Sequence, residues 1–242
     1  MGCSSSVSSE QKKHRTSNIQ PSCNTKGTIV VYGMIESVAT QRVLATLIEK
    51  GLKYELKVVN IMTGENQSRS YLEKQPFGGV PALDDADGFT IYESRAICRY
   101  LEKKYKGKGT ELIPKSNAQV EGLFEQAASI ELSYFDPYAS TIVGERVYKK
   151  MRGGEPDMNK VAGQRQDLAE NLDVYEQILS TQSYLGGNTF TLADLFHLPL
   201  GSMLAKCGEG ELFESRPHVK QWWNKISSRQ AWKTIQAMHE IQ

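Results

Sequence analysis

The sequence is short of the features that mark several large classes of protein. Its 242 residues hold only four cysteines and four histidines. Cys3, Cys23, Cys98 and Cys207 form no C-x-x-C pair and no metal-ligand spacing. That pattern offers no metal site and points to a reducing compartment. His14, His197, His218 and His239 stand apart and read as surface or helix positions without chemistry. The formal net charge is +1, so no overall field recruits nucleic acid or an anionic surface. No apolar run is long enough to span a bilayer. No apolar core follows Met1, which argues against a secretory signal. What remains is ordinary for a soluble chain: 39% hydrophobic and 24% charged residues, enough for one or two domains with a sizeable core.

The most informative stretch is Gln75-Pro76-Phe77-Gly78-Gly79-Val80-Pro81-Ala82-Leu83, followed by a second run from Phe89 to Ile97. Gly78-Gly79 is a turn signal, and Val80-Pro81 opens an apolar run, where proline is tolerated as the first strand residue. Asp84 to Gly88 has the composition of a hairpin loop, and Phe89 to Tyr92 is the returning strand. Ser94 is expected to cap a helix carrying Ala96, Ile97, Tyr100 and Leu101.

Taken in order, residues 1–26 are polar and Ser-rich, and they predict a disordered extension. Residues 27–105 read as one α/β domain. Thr28 to Tyr32 is a buried strand, and Ser37 precedes a helix with Val43, Leu44, Leu47 and Ile48 on one face, stopped by Gly51. Tyr54 to Val59 alternates as a strand, and a second helix is predicted over roughly Gln67 to Lys74. The order β-α-β-α-β-β-α is that of a thioredoxin-like domain. Residues 106–115, rich in Lys and Gly, form a linker. Residues 116–242 read as all-helical. Val120, Leu123, Phe124, Ala127 and Ala128 make one stripe, and Leu168, Leu172, Tyr175 and Leu179 make another. Tyr134 to Pro137 is expected to break or kink its helix. Met151 to Pro156 reads as a loop. Thr191 to Asp194 is a capping-box variant, with Phe190 and Leu195 placed as a hydrophobic staple. Pro217 falls in the first turn of a further helix that buries Trp222, Trp223 and Ile226.

Several separate motifs resemble one family, in its order and over nearly the whole chain. F-G-x-V-P-A-L at Phe77 to Leu83, E-S-R-A-I-x-x-Y-L at Glu93 to Leu101, S-x-A-T-x-R-V at Ser37 to Val43 and F-T-L-A-D at Phe190 to Asp194 are similar to the glutathione transferases, most of all the plant phi class. The resemblance implies a cis bond before Pro81, freeing the Val80 backbone to pair with glutathione as a strand would. It implies that Glu93 pairs with the γ-glutamyl ammonium, and that Ser94 and its helix N-terminus take the carboxylate. Ser37 would hold the substrate thiolate rather than attack anything itself. As a serine, it cannot form a mixed disulfide with glutathione, which argues against a thiol-transferase. Read on spacing alone, Ser37 is simply a helix cap. Two departures stand out. Asn66 and Gln67 replace a His-Lys pair, and Gly79 replaces a Gln, so side-chain partners for glutathione are weakened.

The function implied is conjugation of the glutathione thiolate to electrophilic hydrophobic compounds, with organic peroxides as a second class of substrate. Glutathione is the co-substrate and no metal is needed. The alternative is a non-catalytic carrier of hydrophobic ligands. Met34, Ile35, Phe135 and Tyr138 are candidate walls of the second-substrate site, although core packing is favoured for Phe135. A homodimer follows from the resemblance; no nucleic-acid partner is expected.

The first six residues, Met1-Gly2-Cys3-Ser4-Ser5-Ser6, fit the N-myristoylation pattern, with Gly2 as acceptor. Cys3 is placed for palmitoylation, the second signal that stable anchoring needs. The expected location is cytoplasmic, with peripheral attachment of part of the population to a membrane. A plastid transit peptide is the competing reading of this segment.

Overall fold

The computed structural model describes residues 27–240. Gly2, Cys3 and the rest of the N-terminal extension lie outside the described residues.

The first half is built on a four-stranded mixed sheet. The apolar run Ile29–Gly33 forms β1, and Tyr54–Val58 forms β2 parallel to it, with Ile29 opposite Tyr54. The connection is α1, Val38–Glu49. Ala82–Asp84 (β3) and Thr90–Tyr92 (β4) form the antiparallel hairpin, and the sheet order is β2-β1-β3-β4. The Val80–Pro81 bond that leads into β3 is cis. Gly33, where β1 ends, is a place where no side chain fits. A Cβ there would lie 2.5 Å from Thr40 Oγ1 and 3.4 Å from Pro81. The missing side chain lets α1 pack directly against the strand end and the cis proline.

The predicted helix over Gln67 to Lys74 is shorter and in two pieces. A 3₁₀ turn spans Glu65–Gln67, and α2 covers only Arg69–Leu72. Ser68 separates them because its hydroxyl caps the Tyr71 amide. A short-range side-chain acceptor thus restarts the helix beyond Gln67. The next helix, α3 (Ser94–Lys104), is capped by Glu93 at φ 71°, so Ser94 is its first helical residue and not the cap.

The Lys/Gly stretch after α3 is tied to its surroundings. Thr110 N donates to the Glu49 carbonyl, and Leu112 and Ile113 are buried. Lys50 Nζ lies 2.7 Å from Glu102 Oε2, a fully buried pair that locks the end of α1 to the end of α3.

All remaining elements are helical. Ala118–Ile130 (α4) runs into a π-helical turn, Glu131–Phe135, and then α5, Asp136–Val143. The expected disruption at Tyr134 to Pro137 is therefore a widened turn, not a break. Leu123 faces solvent, because the buried face of α4 is Phe124, Ala127 and Ala128. A second π turn, Gly144–Tyr148, leads to α6, Lys149–Met151, so the loop begins one residue later, at Arg152. The long α7, Met158–Leu179, buries Leu168, Leu172, Tyr175 and Leu179, as its stripe predicts.

The chain then folds through α8 (Leu192–Leu195), α9 (Leu198–Leu204) and a π turn over Ala205–Glu209. It ends through α10 (Glu211–Glu214), α11 (Pro217–Ser227) and α12 (Gln230–Glu240). Trp222, Trp223 and Ile226 are buried, as expected. His197 departs from the surface assignment. It is fully buried between α8 and α9, with Nε2 3.0 Å from Tyr175 Oη and Nδ1 2.8 Å from the Ala193 carbonyl oxygen. Burial pulls its pKa down to about 4, so it is neutral near pH 7. Two satisfied nitrogens inside an aromatic cluster make it a core residue.

The capping box at Thr191 is complete, and its acid does more than cap. Asp194 is fully buried and accepts hydrogen bonds from Leu185 N at 3.0 Å, Thr191 N at 2.9 Å and Trp222 Nε1 at 2.9 Å. Burial raises its carboxyl above the ordinary aspartate range despite these donors. Asp194→Ala would strand three buried N–H groups, and each orphan costs about 1–3 kcal/mol. The expected loss of unfolding free energy is on the order of 3 kcal/mol, read by denaturant melts. Lost turnover with an unchanged melt would instead give Asp194 a chemical role.

Candidate active site

Ser37 sits between β1 and α1, in the extended conformation of an N-cap. Its Oγ accepts from Thr40 N at 3.3 Å, while its own amide donates to the Met34 carbonyl at 3.1 Å. A hydroxyl has one proton and two acceptor positions. The cap uses one acceptor position. Among the described residues nothing accepts the Ser37 proton, and the side chain is half-buried at the positive end of a twelve-residue helix.

Val80 lies just outside β3, and its amide and carbonyl make no backbone hydrogen bond within the described residues. The loop that presents it is clasped from below. Asn66 Nδ2 donates to the Gly78 carbonyl at 2.7 Å, and Tyr71 Oη donates to the Gly79 carbonyl at 2.6 Å. The Gln67 side chain packs against Gly78, which holds φ 66°; a Cβ there would meet Gln67 Nε2 at 2.4 Å. Gln75, buried, accepts from Phe77 N at 2.6 Å and fills the space beside Gly79, where a Cβ would lie 2.8 Å from its Nε2.

Glu93 is exposed and Ser94 is buried beneath it. The first amide of α3 with a partner in the helix is Ile97, bonded to the Glu93 carbonyl at 2.8 Å. The amides of Ser94, Arg95 and Ala96 therefore belong to the open end of the helix. Glu93 is the only non-glycine residue with positive φ among those described.

A cluster of charges lies behind these groups. Arg95 donates to both Glu131 oxygens at 2.8 Å and to Asp136 at 2.5 Å. Arg42 donates to Asp136 at 2.6 Å, to Glu131 at 3.3 Å and to the Phe196 carbonyl at 3.1 Å. Burial alone would raise the Asp136 carboxyl, but the two guanidiniums outweigh it and hold the group below its ordinary value. Burial alone would lower Arg95, but its two acids reverse that and hold it firmly charged.

A cavity of about 560 Å³ opens by the loop that precedes α1, and its lining includes Glu36 but not Ser37. Glu36 and Gln41 line it on the α1 side, together with the apolar side chains of Val147, Met151 and Met203 and the buried Trp232 and Ile235. Its lining does not include Met34, Ile35, Phe135 or Tyr138. Ile35 and Phe135 are core residues, and the Phe135 ring packs 4.6 Å from that of His197. Among the described residues no group of three or more His, Cys, Asp or Glu is placed to hold a metal ion.

An α/β sheet domain with a cis proline at its hairpin, joined to a helical layer over a cavity at the start of α1, defines a class of two-part thioredoxin-like proteins. Family models for the glutathione S-transferase N-terminal and C-terminal domains match residues 37–104 and 132–230. The chain is 49% identical to the glutathione S-transferase PM239X14 of Arabidopsis thaliana over 198 residues, covering 81% of this chain and 90% of that one. Among solved structures, glutathione transferase F7 of Populus trichocarpa superposes with a TM-score of 0.84 at 38% identity, covering 87% of this chain and 98% of that one. The maize glutathione S-transferase I in complex with an atrazine–glutathione conjugate gives a TM-score of 0.82 at 30% identity over 88% and 98% of the two chains. The chain belongs to the glutathione S-transferase family, in its phi class.

The backbone at Glu93 generates a stability prediction. A non-glycine residue held at φ 71°, ψ 110° stores about 1–3 kcal/mol. Glycine there loses about 0.5–1 kcal/mol through the unfolded chain. Glu93→Gly should therefore raise the free energy of unfolding by about 1 kcal/mol, measured by urea titration. A fall would mean that the Glu93 side chain contributes more than its backbone costs.

Proposed function

We propose that the protein is a glutathione transferase in which Ser37 stabilises the glutathione thiolate for attack on apolar electrophiles. The observation that carries this reading is the unused Ser37 proton at the start of α1; the preceding residue, Glu36, lines a cavity large enough for a small organic molecule. A thiol titrates near 8.5 in water, and both the helix terminus and a donated hydrogen bond favour its charged form. The thiol proton leaves to solvent. The sulfur then attacks the electrophilic carbon, a C–S bond forms, and the leaving group departs with the electron pair of its bond. With an organic peroxide the sulfur attacks oxygen, and the O–O bond breaks to an alkoxide that takes up a proton. A second glutathione displaces hydroxide from the resulting sulfenic acid and yields the disulfide.

Around the thiol, the free Val80 amide and carbonyl suit strand-like pairing with the tripeptide backbone. Glu93 faces the γ-glutamyl ammonium, and Ser94 with the open amides of α3 takes the adjacent carboxylate. Asn66 and Gln67 stand at the glycyl end, and Gly79 contributes backbone only. The maize relative's bound conjugate supports the same assignment of co-substrate here. A pure carrier needs the cavity but has no use for a hydroxyl proton held at a helix start.

Ser37→Ala should lower kcat with a generic electrophile by roughly two to three orders of magnitude, the scale of losing one preorganised donor. Glutathione affinity, measured by calorimetry, should change far less. Wild-type turnover in the alanine variant would refute the role.

We also infer from the Met1 to Ser6 motif that Gly2 is myristoylated and Cys3 palmitoylated, holding a share of the enzyme on the cytoplasmic face of a membrane. Intact mass of the protein from its native cell should show Met1 removed and a myristoyl group on Gly2. A mature chain starting between Ser22 and Gly27 would instead identify a cleaved transit peptide.

A further inference from the structure

The charge around the mouth of the cavity is one-sided. Four basic side chains line it: Arg146, Lys150, Lys206 and His239. Glu36, in the loop before α1, is the single acid in the lining. Arg146 is already committed, since its guanidinium lies 2.6 Å from Glu209 Oε1 and donates to the Cys207 carbonyl at 3.3 Å. Lys150 and Lys206 make no ion pair and no side-chain hydrogen bond with any described residue, although Lys149 next to Lys150 pairs with Glu145 at 2.8 Å. Both lysines are exposed, one after each wall of the cavity: Lys150 on α6 and Lys206 on the π turn that follows α9. Their aliphatic stems can lie on apolar surface while the ammonium stays in water. Below them the cavity is apolar, with Val147, Met151, Met203 and Ile235 around Trp232.

An apolar chamber with two uncommitted ammonium groups at its rim fits a ligand with an apolar body and an anionic end. We propose that the preferred second substrate of this protein is an amphipathic electrophile carrying a carboxylate or a similar anion, seated with its apolar part against Val147, Met151 and Met203 and its anion between Lys150 and Lys206. The proposal rests on the reading of this cavity as the electrophile site. It adds the charge of the substrate, which the transferase assignment leaves open. A simple solvated face would also carry lysines, but it would show no preference for the sign of a bound amphiphile.

Two measurements on the full-length protein separate these readings. Calorimetric titration with dodecanoate and with dodecyltrimethylammonium compares one tail with two charges. Each exposed charge pair is worth roughly a few-fold in affinity, so dodecanoate should bind about tenfold more tightly than the cation. The preference should shrink as salt is raised. The double variant Lys150→Gln/Lys206→Gln should lose about tenfold in dodecanoate affinity. Equal binding of the two amphiphiles, or an unchanged double variant, would overturn the proposal. The second measurement compares 4-chloro-3,5-dinitrobenzoate with neutral 1-chloro-2,4-dinitrobenzene; in both, glutathione sulfur displaces chloride. The ratio of kcat/KM for the anionic over the neutral compound should fall about tenfold in the double variant. A wild-type protein that turns over only the neutral compound would overturn the proposal and leave the transferase reading standing. One that turns over neither would remove the transferase reading, and the dodecanoate titration would still decide whether the cavity selects anions.

Discussion

The site depends on one group of four charges, two of them buried and two partly buried. Glu131 is fully buried and sits between two arginines, Arg42 of α1 and Arg95 of α3, which also share Asp136. Burying a lone carboxylate is costly, and removing one partner of such a cluster is expected to cost several kcal/mol. The π turn makes the arrangement possible. It bonds the Asp136 amide to the Glu131 carbonyl, five residues apart, so the two acids stand one above the other on the same side of the helix. The two arginines follow the two helix starts that matter: Arg42 is five positions beyond Ser37, and Arg95 is next to Ser94. A single pair of acids in the helical layer thus fixes both helix N-termini relative to each other. Ser37 and the open end of α3 owe their spacing to the same salt-bridged cluster.

The loop at 75–80 is the third component, and it is held by neutral hydrogen bonds. Asn66, Tyr71 and Gln75 each engage its backbone, and Gln67 packs against Gly78. The residues beneath this loop thus present Val80 with its amide and carbonyl free. An amide side chain at position 66 suits this task because it can donate one hydrogen bond inward and keep a second donor and an acceptor for a ligand.

Much of this was legible from the chain, and the part that was not has a clear cause. Strands, the α1 and α7 stripes, the Thr191 cap and the hairpin rest on local patterns of apolar spacing and capping, which a sequence displays directly. The thioredoxin-like order came from the same patterns. Errors arose where a side chain's partner lay far along the chain. His197 looked like an ordinary helix residue because Tyr175, which accompanies it inside the core, is 22 positions away. Ser94 looked like a cap because nothing local signals that a glutamate will adopt positive φ. Arg42 and Arg95 stood inside the quoted motifs, yet their acids are 89 and 36 positions off in the Glu131 pairs. Met34, Ile35, Phe135 and Tyr138 were sought as cavity walls for their apolar character. The cavity draws instead on the start of α1 and on three distant helical segments, a combination that no local window contains.

The distribution of charge across the two halves of the site also follows from these contacts. On the side we assign to the co-substrate, positions 66, 67 and 79 carry no formal charge, and the arginines behind the helix starts are paired with Glu131 and Asp136. On the proposed reading, recognition of anionic groups there falls to backbone amides and helix ends, which are fixed in place. Across the cavity the reverse holds: Lys150 and Lys206 are exposed and unpaired among the described residues. Fixed dipoles discriminate by geometry, because a ligand must place its oxygens where the N–H groups point. Flexible ammonium groups discriminate by sign alone and tolerate many shapes. A transferase that keeps one constant co-substrate and accepts varied partners has reason to put the rigid donors on the first side and the adaptable cations on the second.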